Sequence, residues 1–212
     1  MMGKLIVGEF VTVDGVMQAP GGPDEDTEGG FQHGGWQAPF VDPASLRIIT
    51  KDIQRMDALL LGRKTYDIFA GYWPKAPAGD IADKLNELPK FVASRRRRTL
   101  AWNNSKVIQG DLSNEVARIT KEHGEVRVIG SGNLVQSLLR ADLVDRLDLW
   151  IFPLVLGTGK RLFAEGTVPA GLRLTSSQAF PKGQVHMVYE RGAKPKYGTI
   201  DAPTRQARRK PG

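Results

Sequence analysis

Ala58-Leu59-Leu60-Leu61-Gly62-Arg63-Lys64-Thr65 puts an apolar run, a glycine and a basic, hydroxyl-bearing segment next to one another. The apolar run is long enough for a buried strand, Gly62 stops it with a tight turn, and Lys64 to Ala70 continues as a helix. A strand running straight into a helix N-terminus is the repeating unit of an α/β fold. Upstream, Lys4 to Val13 alternates and is rich in Val, Ile and Phe, which predicts a first strand ending at the turn pair Asp14-Gly15. A polar loop spans Ala19 to Gly35, with Pro20-Gly21-Gly22-Pro23, the acidic stretch Asp24-Glu25-Asp26, Gly29-Gly30 and Gly34-Gly35. A loop of that length inside a domain is functional or mobile. Pro43 then opens a helix whose Leu46, Ile49, Ile53 and Met56 recur at three and four residues.

Downstream, Phe91-Val92-Ala93, Lys106-Val107-Ile108 and Val126 to Ile129 read as short strands, with a helix from Ser113 to His123. Leu134, Val135, Leu138 and Leu139 form the stripe of another helix just after Gly130-Ser131-Gly132. Leu147, Leu149 and Ile151 alternate with Arg146, Asp148 and Trp150 in a longer strand. Leu172 to Phe180 and Val185 to Glu190 make a closing hairpin through Pro181-Lys182-Gly183. Early strand–helix alternation with a late antiparallel hairpin predicts an α/β domain with a mixed, mainly parallel sheet.

The chain has 212 residues, 30 Lys and Arg against 23 Asp and Glu, 41% hydrophobic residues and no Cys. Five of the seven excess positive charges fall after Arg191, where Lys194, Lys196, Arg205, Arg208, Arg209 and Lys210 face only Asp201. A folded body over 1–191 and a basic, disordered tail over 192–212 are therefore expected. The near-neutral body argues against nucleic acid as a partner. The absence of Cys excludes disulfides, thiol nucleophiles and thiolate zinc sites. His33, His123 and His186 are scattered and no metal-ligand spacing occurs, so no metal is expected. No apolar run is long enough to span a bilayer, and the start of the chain lacks signal-peptide features, so a cytoplasmic protein without membrane contact is expected.

Three strand ends carry anion-binding chemistry. Gly62-Arg63-Lys64-Thr65 offers free helix N–H groups plus two cations and a hydroxyl; a merely solvated helix start is the alternative. Ser94-Arg95-Arg96 opens a run of four arginines whose mutual repulsion calls for an anion, unless the run is a solvated or nucleic-acid-facing patch. Gly130-Ser131-Gly132-Asn133 lies between a strand and a helix, where a pyrophosphate would meet the helix dipole. Val135 breaks the G-x-G-x-x-G pattern, and Arg161 replaces the hydroxyl residue that a Walker motif at Gly157-Thr158-Gly159-Lys160 would need. One ligand accounts for all three turns: a dinucleotide with an extra phosphate, NADP(H).

Thr12-Val13-Asp14-Gly15, Gly62-Arg63-Lys64-Thr65-Tyr66, Ser94-Arg95-Arg96, Ile129-Gly130-Ser131-Gly132 and Pro153-Leu154-Val155-Leu156-Gly157-x-Gly159-x-x-Leu162-Phe163 occur in this order. Together they resemble the dihydrofolate-reductase-like superfamily, most of all the C-terminal reductase domain of the bifunctional riboflavin-biosynthesis deaminase-reductase. The resemblance implies an eight-stranded mixed sheet flanked by helices, NADPH as hydride donor, a small-molecule substrate and a homodimer. It implies that Gly62, Arg63, Lys64 and Thr65 line the adenosine-phosphate side and that Ser94, Arg95 and Arg96 hold the 2′-phosphate. Gly130, Ser131, Gly132 and Asn133 would take the pyrophosphate, and Gly157 and Gly159 would lie near the nicotinamide or the pocket rim.

Asp14 is the substrate-side and catalytic candidate, with a plain turn aspartate as its alternative. Trp36, Phe40 and Trp73 are candidates for an aromatic wall, with core packing as theirs. Dihydrofolate reductases carry a carboxylate at the start of the helix that here reads Pro43-Ala44-Ser45-Leu46, with Asp42 just outside, which argues against folate. Without Cys there is no zinc deaminase. The expected activity is reduction of a small heterocycle or a ribosylamino-pyrimidine of the riboflavin pathway. A non-catalytic NADP-binding regulator and a dihydrofolate reductase proper are the alternatives.

Overall fold

The computed structural model describes residues 3–95 and 99–200. Arg96, one of the expected 2′-phosphate contacts, and tail residues 201–212 lie outside the described residues. The strands are β1 (Lys4–Thr12), β2 (Ala58–Gly62), β3 (Lys90–Ala93), β4 (Ser105–Ile108), β5 (Glu125–Ile129), β6 (Arg146–Phe152), β7 (Leu172–Ala179) and β8 (Val185–Arg191). They form one eight-stranded sheet in the order β4-β3-β2-β5-β1-β6-β8-β7. The pairings from β4 to β6 are parallel, and β6–β8 and β7–β8 are antiparallel. The expected mixed, mainly parallel sheet and its closing hairpin are therefore present.

The continuous apolar run of β2 is explained by its central place: Ala58, Leu59, Leu60 and Leu61 are fully buried, because helices cover both faces. On one face α4 (Leu112–Glu122) and α5 (Gly132–Arg140) pack Val116, Ile119, Leu134, Val135 and Leu138 against Leu5, Val7, Leu147 and Leu149. On the other lie α1 (Pro43–Gln54), α2 (Arg63–Tyr72) and α3 (Asp80–Glu87), which contribute the half-buried Ile49 and the buried Tyr66 and Leu85 among others. Helix α3 has little signal in the sequence. It offers only Ile81, Ala82 and Leu85 as an apolar stripe, too short a repeat to declare a helix.

Helix α1 begins where Asp42 caps it: its Oδ1 accepts the N–H groups of Ala44 at 2.8 Å and Ser45 at 3.1 Å. Its Oδ2 accepts from Gln184 at 2.6 Å. The long loop ahead of α1 is built into the protein. The Trp36 indole N–H donates to the Gln18 carbonyl at 2.8 Å, and Phe31 and Trp36 are buried.

The helices after β2 and β5 leave on opposite faces, and the chain runs from β2 outward to β3 but from β5 back across β1 to β6. The carboxyl ends of β2 and β5 thus flank the point where strand order reverses, the place where open α/β sheets leave a crevice for ligands.

Charged side chains also enter the sheet itself. Arg127 of β5 reaches across Gly8 of β1, where a Cβ would lie 3.6 Å from Nη1, and pairs with Asp148 of β6 at 3.1 Å. Arg146 makes two further bonds to Asp148, at 2.6 and 2.5 Å. Asp148 is fully buried, so removing its charge takes a shared countercharge from two guanidinium groups, of which Arg127 keeps its bond to Glu125. The variant Asp148→Asn is expected to lose about 3 kcal/mol of folding free energy in denaturant titration.

Candidate functional site

The turns after β2 and β5 are tied together. The Gly62 N–H donates to Ser131 Oγ at 2.9 Å, and the Ser131 N–H donates to Thr65 Oγ1 at 2.9 Å. This contact depends on the backbone: Gly130 and Ser131 have φ of 61° and 64°, the left-handed region. A Cβ on Gly130 would meet Thr65 Cγ2 at 2.9 Å, so only glycine lets the turns come this close. Neither α2 nor α5 has a side-chain N-cap. The first bonds of α5 run from Leu134 and Val135 to the Ser131 carbonyl, so the N–H groups of Gly132 and Asn133 precede the helical ladder. Two helix N-termini with their positive dipole ends thus open side by side.

They open on a cleft of about 2190 Å³, lined by Gly62 to Thr65, Ser94, Arg95 and Gly130 to Asn133. The structure therefore brings together the three strand ends that the sequence singled out. Arg63 is paired with Asp67 at 2.7 Å. Lys64 is bonded to Glu28 of the long loop, and Glu28 also pairs with Lys160 at 2.6 Å. Lys160 and Lys64 hold the Glu28 carboxyl down at about 2. The acidic loop is therefore anchored to two lysines of the cleft by groups that an incoming anion would displace.

A second arm of the cleft runs beside α1, lined by Phe10, Ile49, Asp52, Arg127, Asp148 and Trp150. Trp150 stacks on His186 with ring centroids 4.4 Å apart, and the buried His186 Nε2 has no partner among the described residues. Burial pushes the His186 imidazole below its ordinary value, which favours the neutral ring. Asp52, Asp148 and His186 lie close enough to suggest metal ligands. Arg127 and Arg146 already satisfy Asp148, so the cluster is charge-balanced as an ion-pair network.

The sequence matches the family described as the RibD C-terminal domain over residues 3–186. The chain belongs to that family. Among its relatives, the uncharacterized protein YyaP of Bacillus subtilis (strain 168) is 30% identical over 145 residues, 66% of this chain and 77% of that protein. The uncharacterized protein YwjB of the same strain is 27% identical over 137 residues, 64% of this chain and 75% of that one.

Among solved structures, a putative riboflavin biosynthesis protein from Shewanella sp. PV-4 superposes with a TM-score of 0.65 at 21% identity, over 90% of this chain and 99% of that one. A pyrimidine reductase-like protein from Corynebacterium diphtheriae gives 0.61 at 13% identity, over 91% and 93%. Dihydrofolate reductase from Enterococcus faecalis, complexed with NADP(H) and RAB-propyl, gives 0.57 at 15% identity, over 91% and 99%. At these identities the likeness is one of fold: this RibD C-terminal-type domain has the fold that these three proteins, dihydrofolate reductase among them, share. Among the described residues no helix is long and apolar enough to cross a membrane.

Several candidate residues of this RibD C-terminal-type domain fall elsewhere than expected. Trp36 and Phe40 pack edge-on against Phe152 at 5.4 and 5.9 Å and do not line the cleft. The aromatic lining comes from Phe10, Phe69, Tyr72, Trp73, Trp150 and Phe163, with Trp73 also packed edge-on against Phe69. Gly159 lines the cleft, and its φ of 110° and close approach to Phe31 require glycine, whereas Gly157 is not in the lining.

Asp14 does not face the cleft. Its carboxylate accepts from Thr12 Oγ1 at 2.6 Å, from the N–H groups of Gly157 at 2.9 Å and Leu156 at 3.2 Å, and from Arg161 at 3.3 Å. It fastens the 156–161 loop to the end of β1. The sequence reading overlooked Glu9, Asp52, Arg127, Asp148 and Trp150, all of which line the cleft.

The Thr12 hydroxyl and then the two backbone N–H groups hold the Asp14 carboxyl well below the usual carboxylate range. A depressed carboxyl stabilises the fold above its unfolded value, and that stabilisation is lost as pH falls through the folded value. Thermal melts should therefore show Asp14→Asn less stable than the parent by a constant margin from neutrality down to about pH 4, with the margin closing below it.

Proposed function

We propose that the protein is an NADPH-dependent reductase acting on a small heterocycle of ribosylamino-pyrimidine type. The observation that supports this most is the pair of uncapped helix N-termini held together at the strand-order reversal by the Gly62–Ser131 and Ser131–Thr65 bonds, with Arg63 and Arg95 at the edges of the same cleft. The residues present suit the cofactor: Gly130 to Asn133 would hold the pyrophosphate, and Arg63 and Arg95, with Arg96, the 2′-phosphate. When bound, NADPH supplies a hydride from its nicotinamide ring. The chain's own part is to orient cofactor and substrate and to exclude water. The second arm, with its Phe10 and Trp150 rings over a polar floor of Asp52 and Arg127, suits a planar, hydrogen-bonding ring.

Dihydrofolate reductase activity is disfavoured by Asp42, whose carboxylate caps α1 and accepts from Gln184 instead of lining the cleft. The reading also carries the homodimer. Every residue of the edge strand β7 is exposed, including Leu172 and Leu174, and an uncovered edge of that kind suits pairing with a second copy. Sedimentation at twice the chain mass supports the dimer, and a monomer contradicts it.

Equilibrium binding should favour NADPH over NADH by about 2 kcal/mol, roughly thirtyfold. Arg95→Gln should erode that preference while leaving NADH affinity unchanged. Glu28→Gln should tighten NADPH binding by freeing Lys64, while Lys160 keeps its pairing with Asp26. NADPH consumption screened against pyrimidine precursors, pteridines and quinones tests catalysis, and tight binding without turnover on any of them would leave a cofactor-binding regulator instead.

A further inference from the structure

Glu9 interrupts the apolar face of β1. A Cβ on Gly8 would lie 3.6 Å from Arg127, so Gly8 faces α1, and strand alternation turns Glu9 to the α5 side with Leu5, Val7 and Val11. Its side chain is 4% exposed, and its Oε1 has no hydrogen-bond partner among the described residues. It lines the cleft beside Gly130, the first residue of the turn that opens α5.

Among the described residues no ion pair reaches it. Arg127 and Asp148 project from the opposite face and pair with each other, Glu125 is bonded to Arg127, and Arg146 to Asp148. On α5, Arg140 sits in the last turn, at the far end of the helix from Glu9. On α4, Arg118 is taken by Glu115 and Glu122. In the loops beside β1, Lys160 is committed to Asp26 and Glu28, and Arg161 to Asp14. Burial pushes the Glu9 carboxyl well above the ordinary value, and the Gly130 N–H opposes this only in part.

A buried carboxyl with no ion-pair partner among the described residues thus stands at the end of the cleft where the α5 N-terminus would receive the negatively charged pyrophosphate. A carboxylate and a phosphate that share one water-poor site repel each other, whereas a neutral carboxyl offers an O–H donor. We propose that Glu9 is a positioning residue of the cofactor cleft that must carry a proton when NADPH is bound, so that cofactor binding and protonation of this side chain are linked. The linkage rests on the NADPH reading above.

The test is NADPH affinity against pH for the parent protein and Glu9→Gln, each checked for folding by thermal melt. Relative to Glu9→Gln, the parent's Kd should be constant at low pH and rise toward about tenfold per pH unit once Glu9 in the free protein loses its proton. In Glu9→Gln that rise should be missing, while the 2′-phosphate titration, common to both proteins, remains. Calorimetry of the parent alone, in buffers of differing ionisation enthalpy, should show proton uptake on binding over the same pH range. Parallel profiles for the two proteins, or no uptake by the parent where its Kd should rise, would overturn the linkage while leaving the cofactor reading intact. Failure of NADPH to bind either protein at any pH overturns the cofactor reading, and the linkage with it.

Discussion

Two hydrogen bonds between the ends of neighbouring strands set the terms for the whole cleft. The Gly62 N–H to Ser131 Oγ bond and the Ser131 N–H to Thr65 Oγ1 bond satisfy backbone donors that would otherwise be left without partners at a half-buried junction. They also hold the start of α2 against the start of α5. Each hydroxyl is spent on the opposite turn instead of capping its own helix, which leaves the first N–H groups of both helices open to a ligand. Gly130 is required because a side chain there would push Thr65 away and part the two strand ends.

Around that junction the sheet separates two kinds of polar chemistry by strand alternation. Arg127 and Asp148 face α1 and are paired, making a balanced polar floor for the arm lined by Phe10 and Trp150. Glu9, displaced by one residue from Gly8, faces α5, and its Oε1 has no partner among the described residues. Neighbouring positions on one strand thus serve opposite faces of the cleft. The acidic loop adds a third element, because Asp26 and Glu28 occupy lysines at its rim.

Much of the fold was legible because its signals are local. The apolar run before Gly62 and the Gly130-Ser131-Gly132 turn each state strand, turn and helix within a few residues, and the hairpin states its own turn. The short α3 was hidden for want of a repeat. The anion-binding residues were legible as types that suit phosphate at strand ends. The second arm was not, since Asp52 comes to it from the last turns of α1 and depends on how the helix lies across the sheet.

A signal for three other residues was nevertheless present. Glu9 between Gly8 and Phe10, Arg127 between Val126 and Val128, and Asp148 between Leu147 and Leu149 each place a charge within a buried strand, which needs a partner or a purpose. Trp36 and Phe40 misled because an aromatic residue in a loop reads the same whether it walls a pocket or fills a core. Asp14 turned out to be the turn residue that its Asp-Gly pairing allowed.

The central claim is that the cofactor lies across the joined ends of β2 and β5. Backbone amide shifts followed by NMR during NADPH titration test it most directly. The account predicts the largest changes at Gly62 to Thr65 and at Gly130 to Asn133, with smaller ones at Ser94 and Arg95. Changes confined to the arm beside α1, with the amides of both turns unmoved at saturation, would contradict it.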